Sequence, residues 1–263
     1  MPQDSQVISF PGPKISRRSF VAGSGGIAAL SIVSPKVAFG SAANSKIEIG
    51  VIGCGGRGTW IAELFQQHGG YQVVAGADYF QDRVDAFGEK LQVPSIRRFT
   101  GLSGYKRMLE GDLDAIVIES PPYFHPEQAE AGVKAGRHVY LAKPIAVDVP
   151  GCKSIEESGK EATTKKLCYL VDFQSRANPF YQEAVKRVHQ GDLGTIISAD
   201  AGYHTGRLGI QAPPGPPEAR IRNWVFDIAL SGDIITEQNI HALDVTTWVL
   251  DSHPLKAVGT GGR

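Results

Sequence analysis

"IGVIGCGGRGT", residues 49–59, is the stretch on which the fold turns. Small and apolar residues lead into Gly53, Gly55 and Gly58, a GxGxxG spacing. The three glycines serve different ends. The first makes a tight turn, the second lets a diphosphate approach the backbone, and the third lets the following helix pack on the strand. The diphosphate then meets the free N–H groups of a helix N-terminus. The spacing alone is a weak signal, but here a strand pattern precedes it, a helix pattern follows, and Asp78 closes the next strand pattern 20 residues after Gly58. A carboxylate there accepts from a ribose diol and repels a 2′-phosphate, which favours NAD. Arg83 lies near enough in sequence to serve a phosphate, so NADP stays open.

Working outward, strand patterns at 47–52, 72–77, 115–119, 138–141 and 167–171 alternate with helix patterns at 59–67, 81–91, 126–135 and 149–162. That alternation predicts an α/β fold, a doubly wound, mostly parallel Rossmann sheet. Asp148 and Pro150 are placed to start the last of these helices. In "HVYLAKPIAVD", residues 138–148, Pro144 forces Lys143 into an extended conformation where a strand gives way to a helix. Ligands bind at that edge of an open α/β sheet. After residue 173 the pattern is a helix at 180–190, a strand at 195–202, a proline-rich loop and a helix at 236–250. These predict a second α/β domain with an open sheet that is incomplete, because the chain reaches "AVGTGGR" as another strand begins. The expected division is a leader at 1–43, a nucleotide domain at 44–173 and a truncated substrate and oligomerisation domain at 174–263.

Bulk properties exclude several functions. The 263 residues are 42% hydrophobic and 21% charged, with 27 basic against 27 acidic groups, so no nucleic-acid footprint is present. Cys54, Cys152 and Cys168 are scattered, without the spacing of a disulfide framework or a zinc site, and no metal is expected. Residues 16–21, "SRRSFV", precede a glycine-rich apolar run and small residues suited to cleavage near Ala43, which predicts a twin-arginine export signal. The expected partner is the twin-arginine translocase, and the expected location is periplasmic or secreted. Removing the leader leaves 23 basic against 26 acidic groups.

Residues 114–148, "DAIVIESPPYFHPEQAEAGVKAGRHVYLAKPIAVD", resemble the signature region of the Gfo/Idh/MocA family, the glucose-fructose oxidoreductases and inositol dehydrogenases. Residues 222–248, "RNWVFDIALSGDIITEQNIHALDVTTW", resemble the active-site helix region of a secreted bacterial branch. The resemblance covers nearly everything from Lys46 to Arg263. It implies a nicotinamide-dependent oxidoreductase acting on a sugar, cyclitol or related polyol. The second-domain sheet would carry the substrate site and a possible homo-oligomer interface. Export would require NAD to travel tightly bound and be restored in place. Two alternatives remain open: an NAD-dependent glycosidase working by transient oxidation and elimination, and a non-catalytic sugar-binding relative.

The resemblance also assigns residues. Lys143, usually within Glu-Lys-Pro, would reach the substrate hydroxyl beside the nicotinamide; here Ala142 replaces the glutamate. His241 would accept the hydroxyl proton, with Glu237 four residues earlier on the same helix face and Asp244 as a second orienting carboxylate or substrate contact. Gly53, Gly55, Gly56, Arg57, Gly58 and Asp78 would hold the cofactor, joined by Ser120, Pro121, His125 and Lys143. Tyr203, Arg207, Asn223 and Trp224 are further substrate candidates, since sugar sites favour aromatic faces with hydrogen-bonding neighbours.

Overall fold

The computed structural model describes residues 46–206 and 208–260. The expected leader at 1–43 and Arg207 lie outside the described residues. Six strands form one parallel sheet: β1 (Ile47–Ile52), β2 (Tyr71–Asp78), β3 (Arg98–Thr100), β4 (Ala115–Ile118), β5 (His138–Ala142) and β6 (Tyr169–Asp172). Their spatial order is β3-β2-β1-β4-β5-β6. The chain winds outward in one direction from β1 to β3 and in the other from β4 to β6, so the switch point falls between β1 and β4.

The helices of this half are α1 (Gly56–His68), α2 (Gln81–Leu91), α3 (Gly104–Leu109), α4 (His125–Lys134) and α5 (Val149–Thr164). They cover two apolar clusters, one including Val51, Val84, Phe87 and Val117, the other Met108, Ile116, Ile118 and Leu141. This is why residues 49–52 of β1 and all of β4 read as continuous apolar runs rather than as alternations. Each fully buried side chain of this size contributes about 1.5–3 kcal/mol. Asp148 caps α5 as expected, its Oδ1 accepting from Gly151 N at 2.7 Å. β3 and α3 were not foreseen; three residues and six residues are too short to show a period.

Beyond Asp172 the described residues form helices α6 (Gln174–Ala177), α7 (Pro179–His189), α8 (Ala219–Arg222), α9 (Ile228–Ser231), α10 (Asp233–Glu237) and α11 (Ile240–Leu250). The strand expected at 195–202 is absent there, and so is the open second sheet. A strand needs a neighbour to take its N–H and C=O groups, and among the described residues none lies alongside; Ile197 is 95% exposed. The helix expected at 236–250 is broken. Asn239 N donates to Ile234 O instead of to the carbonyl four residues back, and α11 starts afresh at Ile240.

Candidate active site

The glycine loop is built by contact distances. Gly53 has φ +93°, and a Cβ on it would lie 2.5 Å from the Glu119 and Ser120 backbone. A Cβ on Gly58 would lie 1.8 Å from Gly53 O, so the third glycine is required by the helix–strand approach. Gly55 has open space except for Arg83 Nη1 at 3.6 Å, leaving its backbone free to face a ligand. The loop opens on a cleft of about 920 Å³ at the C-terminal edge of the sheet, lined also by Asp78, Glu119, Lys143, Trp224, Glu237 and His241.

At one end of the cleft Asp78 anchors the loop: Oδ2 accepts from Cys54 N at 2.8 Å and Oδ1 from Phe80 N at 2.9 Å. Each oxygen keeps a lone pair for a ribose diol. Arg222 of α8 crosses to this end, pairing with Asp82 at 2.8 Å and lying 3.8 Å over the Phe80 ring. Asp78→Ala would remove the anchor and, with it, the acceptor proposed for a ribose diol. Charge-assisted hydrogen bonds are each worth about 1.5–3 kcal/mol, so NAD affinity should fall roughly 10- to 100-fold, with weaker discrimination against NADP. Calorimetric titration with both nucleotides checks this, and an unchanged preference would move the choice to another residue.

At the other end Lys143 follows β5, its peptide bond to Pro144 cis. Its side chain is 9% exposed, and Nζ donates to the Glu237 carbonyl and to Glu237 Oε1 at 3.0 Å. Glu237 Oε2 is buried without a partner among the described residues. Burial pushes the Glu237 carboxyl up, with Lys143 opposing the shift. His241 enters from α11, its ring stacked on Tyr203 at 5.2 Å between centroids. Burial, then Lys143 and Arg57, hold its imidazole below the ordinary value, keeping it neutral and basic in function at neutral pH. Glu237 and His241 therefore converge from two helices, and the carboxylate serves the lysine. The expected single helix face is corrected by the break at Asn239.

Other expected residues divide. Arg57 and Pro121 line the cleft, and so does Ser120, whose Oγ donates to Gln128 Oε1 at 2.6 Å. Trp224 lines it as well. His125 does not reach it: the residue is 1% exposed, with Nδ1 2.8 Å from Pro144 O and Nε2 2.7 Å from Ser120 O. It ties the lysine loop to the Ser120 loop instead of touching a cofactor. Asn223 spends its amide on the proline-rich loop, accepting from Gln211 N at 2.7 Å and donating to Ala212 O at 2.8 Å. Asp244 is held by Arg176 of α6, Nη2 to Oδ1 at 2.8 Å, so it is a packing contact of α11 rather than the orienting partner of His241. Sequence reasoning missed Glu119 and Asp172, both bound by Arg57. Their position at the ends of β4 and β6 was the signal available.

A dinucleotide-binding fold with lysine, histidine and carboxylate gathered at its switch point is thus defined. Residues 47–173 match the GFO_IDH_MocA model, described as an oxidoreductase family with an NAD-binding Rossmann fold. The chain is similar to inositol 2-dehydrogenase of Klebsiella pneumoniae, 27% identical over 206 residues, covering 78% of this chain and 55% of that protein. It is also similar to a glycosyl hydrolase family 109 protein of Porphyromonas gingivalis, 29% identical over 184 residues, covering 66% of this chain and 36% of that protein. Among solved structures it resembles scyllo-inositol dehydrogenase from Lactobacillus casei with bound NAD(H) and scyllo-inositol. That match has TM-score 0.58 and 26% identity, covering 78% of this chain and 56% of the other. The chain spans about half the length of these dehydrogenases.

Proposed function

We propose that the protein is an NAD-dependent oxidoreductase that takes hydride from a carbinol carbon of a cyclitol or sugar. The observation that carries this is the convergence of Lys143, Glu237 and His241 on the cleft opened by the glycine loop. Bound NAD supplies the hydride acceptor. Gly53 to Gly58 would hold its diphosphate at the start of α1, and Asp78 would hold the adenosine ribose. Lys143, fixed by Glu237, donates to the substrate hydroxyl and lowers the cost of its ionisation. His241, neutral and supported by Tyr203, removes the hydroxyl proton as the C–H bond breaks. Residues 174–263 would act as the substrate domain. Similarity to inositol 2-dehydrogenase supports a cyclitol or sugar. Releasing the nucleotide from purified protein and identifying it is the first test; a preparation that neither carries nor binds a nicotinamide dinucleotide would end the reading.

A second reading is favoured by the similarity to a glycosyl hydrolase family 109 protein. Oxidation at one carbon would acidify the neighbouring C–H, the leaving group would be eliminated to an enone, water would add to its double bond, and the same bound cofactor would return the hydride to the ketone. Product analysis separates the two readings: a free keto-polyol with reduced NAD, or a released aglycone with NAD unchanged.

Export is proposed from residues 16–21. Replacing Arg17 and Arg18 by lysine should leave uncleaved precursor in the cytoplasm, as seen by fractionation and blotting. Undiminished export of the double variant would remove the signal and, with it, the argument for a cofactor that never leaves.

A further inference from the structure

β4, β5 and β6 are parallel and in register, Ile118 beside Leu141 and Ala142 beside Asp172. One step past β4 brings Glu119 level with Ala142. Three strand ends therefore carry a carboxyl, a methyl and a carboxylate side by side. Arg57, in the first turn of α1, joins the outer two: its Nε donates to Glu119 Oε2 at 3.0 Å and its Nη2 to Asp172 Oδ2. The Glu119 side chain is 1% exposed, yet the residue lines the cleft, and its Oε1 is buried with no partner among the described residues. A buried carboxylate oxygen left unpaired is costly. Burial lifts the Glu119 pKa to about 7, against the opposing pull of Arg57.

The placement of the cofactor follows from the same edge. With the diphosphate on the glycine loop and the adenosine ribose at Asp78 on β2, the nicotinamide half would fall across the switch point, beside Glu119 and Lys143. We propose that Glu119 is a proton-exchanging neighbour of the nicotinamide half, ionised beside the oxidised, positively charged ring and protonated beside the reduced, neutral one. The proton count balances as follows. Oxidation of the alcohol sends hydride to the ring and the hydroxyl proton to His241; Glu119 then takes one proton from solvent, and it returns that proton when the ring is reoxidised. The groups facing Glu119 that set this exchange are Arg57 from α1, Tyr140 from β5, Asp172 from β6 and Lys143 from the loop after β5.

The inference rests on NAD occupying the cleft, and its test reads binding rather than turnover. Dissociation constants of NAD⁺ and NADH are measured by calorimetry from about pH 5.5 to 8.5, for the full-length wild type, Glu119→Gln and Asp172→Asn. In the wild type the affinity ratio should shift toward NADH as pH falls. The total shift is about tenfold for each unit by which the Glu119 pKa differs between the two complexes. Glu119→Gln should flatten it. Asp172→Asn removes a neighbouring negative charge that raises the Glu119 pKa, so it should keep the shift and move its midpoint to lower pH. A flat wild-type ratio, or an equal slope in Glu119→Gln that points to His241 or Glu237, overturns the inference and leaves the NAD reading standing. Failure of wild type to bind either nucleotide ends both.

Discussion

His241→Ala should slow reduction of bound NAD by a polyol about 10²- to 10⁴-fold, the range for losing a positioned proton-transfer group, and leave nucleotide affinity close to wild type. The histidine comes from α11, a different segment from the glycine loop and β2, so its loss removes the base without removing those cofactor contacts. Lys143→Met should slow the same step over a similar range, because it keeps the stem and deletes the charge. The two variants differ in pH dependence. His241 is held below the ordinary imidazole value first by burial and then by Lys143 and Arg57. Oxidation of the alcohol needs the neutral ring, so the acid limb of kcat/KM in wild type should lie below pH about 6.5. Removing the Lys143 charge takes away one lowering influence, and the limb of the residual activity should move to higher pH. A limb that stays in place in Lys143→Met would show that the lysine does not act on the histidine.

Gly58→Ala is expected to be the most damaging single methyl addition. Its Cβ would sit 1.8 Å from Gly53 O, and the contact is backbone oxygen at the first turn of the loop, which cannot swing aside like a side-chain tip. Overpacking of this kind costs about 1–3 kcal/mol or more, equivalent to roughly 2–12 °C in Tm for a chain of this size. NAD binding should be lost with it, because relief requires α1 to move off the strand and carry its N–H groups from the diphosphate. Gly56→Ala is the stability control: nothing lies within 4 Å of its added Cβ, and alanine favours the helix. Thermal denaturation of the two variants should separate them; equal melting temperatures would mean that the close approach of Gly58 to Gly53 does not hold the loop.

The nucleotide half was legible because parallel strands buried on both faces and GxGxxG between strand and helix are strong local signals. Lys143 could be placed for a similar reason, since Pro144 and Asp148 mark where β5 ends and α5 begins. What could not be read were contacts between distant segments. Spacing pairs Glu237 with His241, whereas Lys143, 94 residues earlier, takes the carboxylate. In sequence Glu119 looks like the end of a strand and Asp172 like the start of a loop; only the register of β4, β5 and β6 brings them beside Ala142. His125 shows the opposite error: a polar side chain in a signature stretch, read as a cofactor contact, is buried between two carbonyls as a tie between loops. The strand at 195–202 failed because β-propensity describes a residue run and a sheet requires a neighbour.

Hydride transfer from a polyol to bound NAD in this cleft is the proposed reaction. Single-turnover absorbance of the nicotinamide tests it most directly, with full-length protein loaded with NAD and mixed with a panel of inositols and aldoses. At least one of them should produce the reduced nicotinamide spectrum in wild type, and the rate should fall at least about 10²-fold in Lys143→Met and His241→Ala. Wild type that binds NAD but reduces it with none of the panel, or variants that match an active wild type, would contradict it.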